Sequence, residues 1–525
     1  MEEKKTYYIT TAIAYASGKP HIGNVYDPVA ADAIARYKRS QGYEVFFCTG
    51  TDEHGQKIEN KAKAAGVSPR EFVDKIAGEI KGIWDMLGVS YTHFIRTTDD
   101  YHVDAVQKLF QRFLDQGDIY KDIYEGWYCE PCEAFFTDTQ AEGGLCPDCG
   151  RPLVRGREEA YKFRMSKYQD KLMKYIEDHP DFIVPDSRRK EMVNNFLVPG
   201  LQDLCVSRSS FTWGIPVASD PKHVTYVWLD ALTNYITALG FDGEHGGEKY
   251  EKFWPADLHV IGKDIIRFHM IYWPIFLMAM GEPLPKKIFA HPWMLSGTDK
   301  MSKSRGNVIY PDDLVRHFGL DGVRYYLLSE MPYGSDGSIT YESVIKRYNT
   351  DLANTLGNLL ARTLSMTQKY FGGTVPSPDG KTDFDEDLKA AAKDAYDGYT
   401  VNMEEFKIAD ALDCAMSLAR RANKYIDETA PWVLAKDESL RPQLSAVIYN
   451  LLESLRILGI LLGAAIPTSA EKILSSLGIE ESTLEDAKTF GLLKAGTTVG
   501  QSVVLFARID EAKKLEEIEA ENTAQ

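Results

Sequence analysis

Two lysines three residues apart, Lys300 and Lys303, stand in Thr298-Asp-Lys-Met-Ser-Lys-Ser-Arg-Gly-Asn307, among small and polar residues. This composition suits a surface loop rather than a helix or strand, and ammonium groups at the end of a strand are placed to neutralise phosphates. A solvated basic turn fits the same residues. Near the N-terminus, His21-Ile-Gly-Asn24 follows a β-rich segment and a Gly/Pro turn in which Pro20 suits the first helical position. A strand, a turn and a helix start offer an anion free backbone N–H groups and the positive end of the helix dipole. His21 and Asn24 share a helical face and can both meet phosphate oxygens; capping is the plainer role for the pair. Gly23 between them admits close approach of a ligand.

Cys129-Glu-Pro-Cys132 and Cys146-Pro-Asp-Cys149 are matched C-x-x-C pairs joined by a short connection, and can supply four thiolates to one tetrahedral zinc. Four protein ligands leave no open position, so such a metal holds a fold rather than doing chemistry. A disulfide or a redox pair is the alternative, disfavoured in a reducing compartment. Cys48, Cys205 and Cys414 sit in apolar segments and read as core.

Gly50-Thr-Asp-Glu-His-Gly55 gathers polar residues at the end of an apolar strand, the ligand side of an open α/β sheet, or else a hydrogen-bonded turn. Ile265, His269 and Trp273 recur every four residues and share one helical face. Packed core is one reading of that face; His269 and Asp264 are also the polar points expected in an otherwise apolar pocket. Asn358 and Arg362, at i and i+4, with Trp432 after Pro431, suit stacking and hydrogen bonding to splayed bases. Spacing alone favours a solvated face plus a core tryptophan.

These residues need elements to hold them. Strands are expected over 5–13, 43–49 and 92–96, with helices over 21–37, 69–87 and 98–116, a βαβαβ pattern of a doubly wound, Rossmann-like parallel sheet. The pattern breaks over 117–224, the stretch that holds the cysteine pairs (129–149). Sheet-type sequence resumes at 223–230, then a helix over 231–239, a strand over 258–261, a helix over 265–280 and a strand with its exit over 287–296. The expected division is therefore a catalytic α/β domain over 1–116 and 225–340 with its loop at 300–304, an insertion over 117–224, an α-helical bundle over 341–510, and a charged, solvated tail over 511–525.

The chain has 525 residues and a formal charge of −17, which excludes a general nucleic-acid coating protein. RNA contact must use local basic positions such as Ser187-Arg-Arg-Lys190 or Lys346-Arg347. The start lacks an apolar signal-peptide core, and the apolar runs 271–280 and 457–466 are too short to span a bilayer. The expectation is a soluble, cytoplasmic protein without a membrane partner.

His21-Ile-Gly-Asn24 and Lys300-Met-Ser-Lys-Ser304, in that order on a split nucleotide-binding pattern, resemble the two signatures of class I aminoacyl-tRNA synthetases. With the knuckle, Gly50-Thr-Asp-Glu-His-Gly55, Tyr226-Val-Trp-Leu-Asp230, Gly262-Lys-Asp264 with His269, and the Asn358/Arg362/Pro431-Trp432 set, the chain resembles the methionyl-tRNA synthetase family over nearly its whole length. The resemblance implies ATP-dependent attachment of L-methionine to tRNA(Met) through an adenylate, releasing AMP and diphosphate, with one structural Zn²⁺ and with Mg²⁺ accompanying ATP. It implies that Ile13, Tyr15, Trp228, Ala231, Tyr235, Ile265, His269 and Trp273 shape the methionine pocket, and that Asp52 accepts hydrogen bonds from the substrate ammonium. His21, Asn24, Lys300 and Lys303 hold the ATP phosphates, Gly262 and Asp264 lie near the adenosine, Arg208 reaches the adenylate side, and Asn358, Arg362 and Trp432 read the anticodon. The family usually has a second histidine where this chain has Asn24, and some members have a proline where it has Leu232. An amide still donates a hydrogen bond to phosphate but cannot become a cation. The insertion leaves no room for a large editing domain. The sequence stops soon after 503–510, and a monomer is expected.

Overall fold

The computed structural model describes residues 4–130, 134–136, 138, 140–147, 149–297 and 308–524. Cys132, Lys300, Lys303 and the rest of the 298–307 loop lie outside them. The chain forms two compact units, Met1–Pro20 with Glu44–His291 and His21–Tyr43 with Pro292–Gln525.

The first unit is built on a seven-stranded sheet in the order Ala14–Tyr15, Glu44–Asp52, Thr6–Thr11, Leu258–Gly262, Ile288–His291, Ile183–Val184, with His93–Arg96 also pairing to Glu44–Asp52. Every pairing is parallel. A parallel sheet is covered on both faces, and its strands are correspondingly apolar throughout: Tyr8-Ile9, Phe47-Cys48, Val260-Ile261 and Ile288-Phe289-Ala290 are all buried. Gly50 packs so tightly against the neighbouring strand that a Cβ there would stand 1.9 Å from the carbonyl oxygen of Ile95. The helix Pro69–Met86 starts where the sequence dictates, with Pro69 in the first turn and Ser68 and Glu71 closing a capping box.

The insertion contains a four-stranded antiparallel sheet in the order Ala134–Phe136, Ile119–Cys129, Val154–Phe163, Leu204–Cys205. The segment expected as a strand at 223–230 divides differently. Only Val224–Thr225 is extended, pairing with Ser207–Arg208, and the helix begins at Val227. Trp228 and Asp230 are therefore helical. Aromatic and β-branched residues favour strands only weakly, and burial of the whole Val227–Thr237 face outweighs that preference.

The second unit is helical. Tyr341–Arg347, Asn358–Phe371, Asp385–Glu404, Ile408–Thr429, Arg441–Leu462 and Pro467–Ser476 make a bundle in which Arg441–Leu462 is the central, nearly all-buried helix. Among the described residues one helix, Glu438–Leu462, is long and apolar enough to cross a membrane, and 94% of its apolar window is buried inside the protein. The helix Tyr26–Ser40 is fastened in this unit by Asp32, which pairs at 2.7 Å with the buried guanidinium of Arg324. Arg324 also donates to the carbonyls of Ala464 and Ala465, so the cation is fully engaged.

Three expectations are refined here. The C-terminal helix Glu511–Ala524 is largely exposed, as expected, but is anchored at points: Ile518 is buried, and Glu521 pairs with Arg316 and, at 3.4 Å, with His317. The basic stretches at 187–190 and 346–347 are partly neutralised by local carboxylates, Arg189 and Lys190 by Asp186, Arg188 by Glu191, and Arg347 by Glu330. Cys48 and Cys205 are buried, whereas Cys414 is only half-buried.

Candidate active site and anticodon face

In the first unit, five of the expected pocket residues come together. Trp228, Ala231 and Tyr235 lie on the helix Val227–Thr237; His269 and Trp273 lie on the stretch that follows the Leu258–Gly262 strand. That stretch is no uniform helix: it runs from a 3₁₀ turn, Lys263–Ile265, into a π-helical turn, Phe268–Tyr272, before Trp273–Met280 becomes α-helical. The wide turn alters the simple four-residue spacing expected for Ile265, His269 and Trp273, and π turns of this kind recur at functional sites.

The hydrogen bonds fix the proton positions. His269 Nδ1 is 3.0 Å from the carbonyl oxygen of Ile265, which only accepts, so Nδ1 carries the proton. Nε2 then accepts at 2.7 Å from the Tyr235 hydroxyl. Burial pushes the His269 pKa down to about 4, so the ring is neutral near pH 7. The indole of Trp273 donates to His259 Nε2 at 3.2 Å, leaving His259 Nδ1 to donate to Thr10 Oγ1 at 2.6 Å. Burial also holds His259 well below its ordinary value. Tyr235 thus stands between two uncharged imidazoles, its ring 4.3 Å from His259 and 5.9 Å from Trp273. Trp273 is fully buried behind it.

Trp228 stacks on Phe268 with ring centroids 3.7 Å apart and planes 6° from parallel, and meets His269 edge-on at 6.3 Å. Its Nε1 is buried and has no hydrogen-bond partner among the described residues. Ile13 and Ile265 are half-buried and pack against the same core. The arrangement is an uncharged aromatic wall, suited to an apolar, polarizable side chain. Phe268 was not singled out by the sequence, because an apolar residue in an apolar run carries no signal of its own.

Polar groups border this wall. Asp52 ends its strand, buried to 9% exposure, in register with Tyr15 on the adjacent strand. Tyr15 is half-buried beneath the ammonium of Lys57. Gly262 ends the Leu258–Gly262 strand, and a Cβ there would stand 2.7 Å from Asp264 Oδ1, so the glycine lets that carboxylate sit close to the strand end. Asp264 itself is exposed. Arg208 is buried, its guanidinium 4.0 Å over the ring of Tyr128.

The knuckle half of the cysteine set is also in this unit. The sulfurs of Cys129, Cys146 and Cys149 all lie within 4.8 Å of one another, with Cys129 and Cys149 3.5 Å apart. Thiolates about 2.3 Å from a tetrahedral zinc are themselves about 3.8 Å apart, so the donor set fits that metal, while 3.5 Å is far longer than a disulfide. Gly150, at φ 70°, donates to Cys146 O and forms the tight turn. The fourth cysteine, Cys132, lies outside the described residues.

In the second unit His21 is not inside a helix that Pro20 starts; it caps a 3₁₀ turn, Ile22–Asn24, ahead of Tyr26–Ser40. His21 Nδ1 accepts from the N–H of Gly23, and Asn24 Oδ1 accepts from the N–H of His21, both at 3.1 Å. The first bond puts the proton of the neutral ring on Nε2, and the second leaves Asn24 presenting its amide N–H groups as donors. Gly23 makes room for His21 itself, because a Cβ there would be 3.1 Å from the imidazole.

On the bundle, Asn358 follows a π-helical segment, Tyr348–Gly357, and is exposed. Arg362, one turn on, pairs loosely with Asp427 at 3.2 Å. Trp432 is 46% exposed on the short helix Pro431–Leu434, so it is no core tryptophan. Asn423 steadies this region by donating to Thr355 O at 3.0 Å.

A family model for class I tRNA synthetases (M) matches residues 7–158 and 151–364, and one for the anticodon binding domain of methionyl tRNA ligase matches 375–522. A methionine–tRNA ligase of Clostridium acetobutylicum is 57% identical over 99% of this chain and 80% of its own length. One of Caldanaerobacter subterraneus subsp. tengcongensis is 55% identical over 98% and 81%. The solved Mycobacterium tuberculosis methionyl-tRNA synthetase in complex with methionyl-adenylate is 43% identical, with a TM-score of 0.92 over 96% of this chain and 100% of that one.

Proposed function

The chain belongs to the methionine–tRNA ligase family of class I tRNA synthetases, and from that premise we propose how its residues divide the reaction. That reaction is ATP-dependent attachment of methionine to tRNA through methionyl adenylate. The methionine carboxylate attacks the α-phosphorus of ATP, diphosphate leaves, and a ribose hydroxyl at the end of tRNA(Met) then displaces AMP. No protein nucleophile is needed, so catalysis is positioning together with charge neutralisation on the leaving phosphates.

The methionine side chain lies against Trp228, Ala231, Tyr235 and His269, with Ile13, Tyr15 and Ile265 completing the pocket and Trp273 acting from behind Tyr235. The observation that carries this reading is the interlocked, uncharged wall of Tyr235 and His269 beside the stacked Trp228–Phe268 pair. A thioether gains up to about 1.5 kcal/mol from such rings, and a neutral wall offers no partner to a charged side chain. Asp52 accepts from the ammonium group, and Arg208 reaches the adenylate. Gly262 admits the adenosine where it already admits Asp264, and Asp264 borders it.

His21, through its Nε2 proton, and Asn24, through its amide, donate to the ATP phosphates; Lys300 and Lys303 add positive charge. Mg²⁺, brought with ATP, supplies further neutralisation of the phosphate oxygens. Cys129, Cys146 and Cys149, with Cys132, hold one structural Zn²⁺. Asn358, Arg362 and Trp432 read the anticodon, the exposure of Asn358 and Trp432 supporting that role. By sequence pattern, the catalytic domain spans 1–116 and 225–340, the insertion 117–224 and the anticodon domain 341–510. We place the working enzyme in the cytoplasm, as a monomer.

The test is amino-acid-dependent ATP–diphosphate exchange across the twenty amino acids. Exchange with methionine alone is expected; exchange with cysteine or isoleucine but not methionine overturns the reading.

A further inference from the structure

Asp52 is followed by two side chains that are each locked to a different neighbour. Glu53 is fully buried and accepts from Thr51 Oγ1 and Thr98 Oγ1, both at 2.6 Å, and from Arg96 at 2.7 and 2.8 Å. Its own N–H donates to Thr97 Oγ1 at 2.9 Å. His54 turns the other way: its Nδ1 lies 2.7 Å from Asp230 Oδ2. The second oxygen of Asp230 is 2.8 Å from His102 Nε2, and His102 Nδ1 is 2.8 Å from Thr237 Oγ1. Asp230 and His102 are fully buried. Trp213 closes the segment by donating to Glu53 O at 2.6 Å and accepting from the N–H of Gly55 at 3.0 Å.

Asp230 lies two residues after Trp228 and one before Ala231 on a largely buried helix. Burial pushes its carboxyl upward, but the charge of His54 and the hydrogen bonds from His102 and His54 hold it below the usual range, so it is ionised. A buried carboxylate held by two imidazoles adds little to stability over well-packed apolar residues, and its best-attested use is to fix register. Here the register in question is that of the strand exit carrying Asp52 against the helix carrying Trp228, Ala231 and Tyr235.

We propose that His54, Asp230 and His102 are positioning residues that set the Asp52 carboxylate against the aromatic wall, and so set discrimination between α-amino acids and analogues lacking the ammonium group. The inference rests on the reading of Asp52 as the ammonium acceptor. Neither histidine nor Asp230 touches the substrate; each acts through Asp52.

The experiment uses the full chain and measures, by ATP–diphosphate exchange, KM for methionine, KM for ATP and the inhibition constant of 4-(methylsulfanyl)butanoate, methionine without its amino group. Asp230→Asn is expected to raise the methionine KM by about tenfold or more, leave the ATP KM within about twofold and barely change inhibition by the deaminated analogue, as a misplaced ammonium acceptor would. His54→Gln, at the edge of the cluster, repeats the test where Asp230→Asn fails to fold, with thermal melting as the control. The double variant is expected to be no worse than the worse single one, since both break one link. A parallel rise in the methionine KM and in the analogue's inhibition constant, or no change in either, overturns the proposal. Asp52→Asn separates the two layers. If it leaves methionine favoured over the analogue as in the unaltered protein, the ammonium reading fails; if it abolishes the preference while Asp230→Asn and His54→Gln keep it, only the positioning inference fails.

Discussion

The aromatic wall around Tyr235 and the face around Trp432 are both rich in aromatic and polar groups, yet they are built on opposite terms. In the wall, Tyr235 and His269 are each 1% exposed, and the Tyr235 hydroxyl, both ring nitrogens of His269 and His259 and the indole N–H of Trp273 each meet a specific neighbour, while the buried Nε1 of Trp228 meets none among the described residues. On the bundle, Trp432 is 46% exposed, Asn358 is exposed, and Arg362 pairs at the surface with Asp427 at 3.2 Å. Buried polar groups left without a partner cost about 1–3 kcal/mol each, whereas exposed pairs contribute about 0–1 kcal/mol. A wall proposed to hold a small apolar side chain thus has most of its donors committed in advance, with the Trp228 N–H as the exception. Reading a large, mobile ligand demands side chains kept out of the core. The first region couples function to stability; the second separates them.

Neither region supplies the cationic charge that phosphate transfer requires, so the largest effect is expected from the loop lysines. Lys303→Ala should slow methionyl-adenylate formation by about 100-fold or more in single-turnover exchange, the usual cost of removing one transition-state charge contact. Near-normal exchange would take the lysine out of the reaction. Within the wall, Tyr235→Phe leaves His269 Nε2 without its donor. It should cost about 1–3 kcal/mol in urea unfolding and weaken methionine binding while sparing ATP; loss of methionine affinity with unchanged stability would contradict the coupling of function to stability in the wall.

The same wall carries a pH signature. Because the His269 pKa is about 4 in the folded protein and near 6.5 when unfolded, the unfolded chain binds the extra proton first as pH falls. Its contribution is therefore fully present above about pH 6.5 and is lost progressively down to about pH 4, by at most about 3 kcal/mol. Unfolding titrations at pH 7 and pH 4.5 should differ in that direction, and His269→Asn should flatten the difference. The smallest structural effect belongs to the bundle face. Trp432→Ala should change stability by no more than about 0.5 kcal/mol and leave tRNA-free exchange intact, while tRNA charging falls by about tenfold, as loss of one base-stacking ring would bring. A drop in both assays would make Trp432 a support of the fold instead. Metal analysis of the purified protein should return one zinc per chain, and active, zinc-free protein would remove the metal's structural role.

Much of this was legible in the residues. The parallel sheet follows from apolar strands separated by amphipathic helices, and the helical unit follows from long runs of helical periodicity. The cysteine spacing announces a thiolate cluster because four ligands at such intervals have few other uses, and three of the four sulfurs do gather. The His21–Asn24 pairing was also visible in outline, though its capping role decides which atoms remain as donors.

Other features are properties of packing. The local pattern at 223–230 favours a strand, but burial of Trp228 against Phe268 belongs to a helix. Phe268 is invisible in an apolar run, and His102 lies in an amphipathic helix far in sequence from Asp230. The sequence by itself determined the chemistry on offer: the strands and helices, the thiolates, the lysines of the loop and the polar residues at the strand ends. Only the tertiary structure decided which imidazoles are neutral, which nitrogen carries each proton, and which aromatic rings face one another, because desolvation and hydrogen-bond geometry depend on partners brought together from distant parts of the chain.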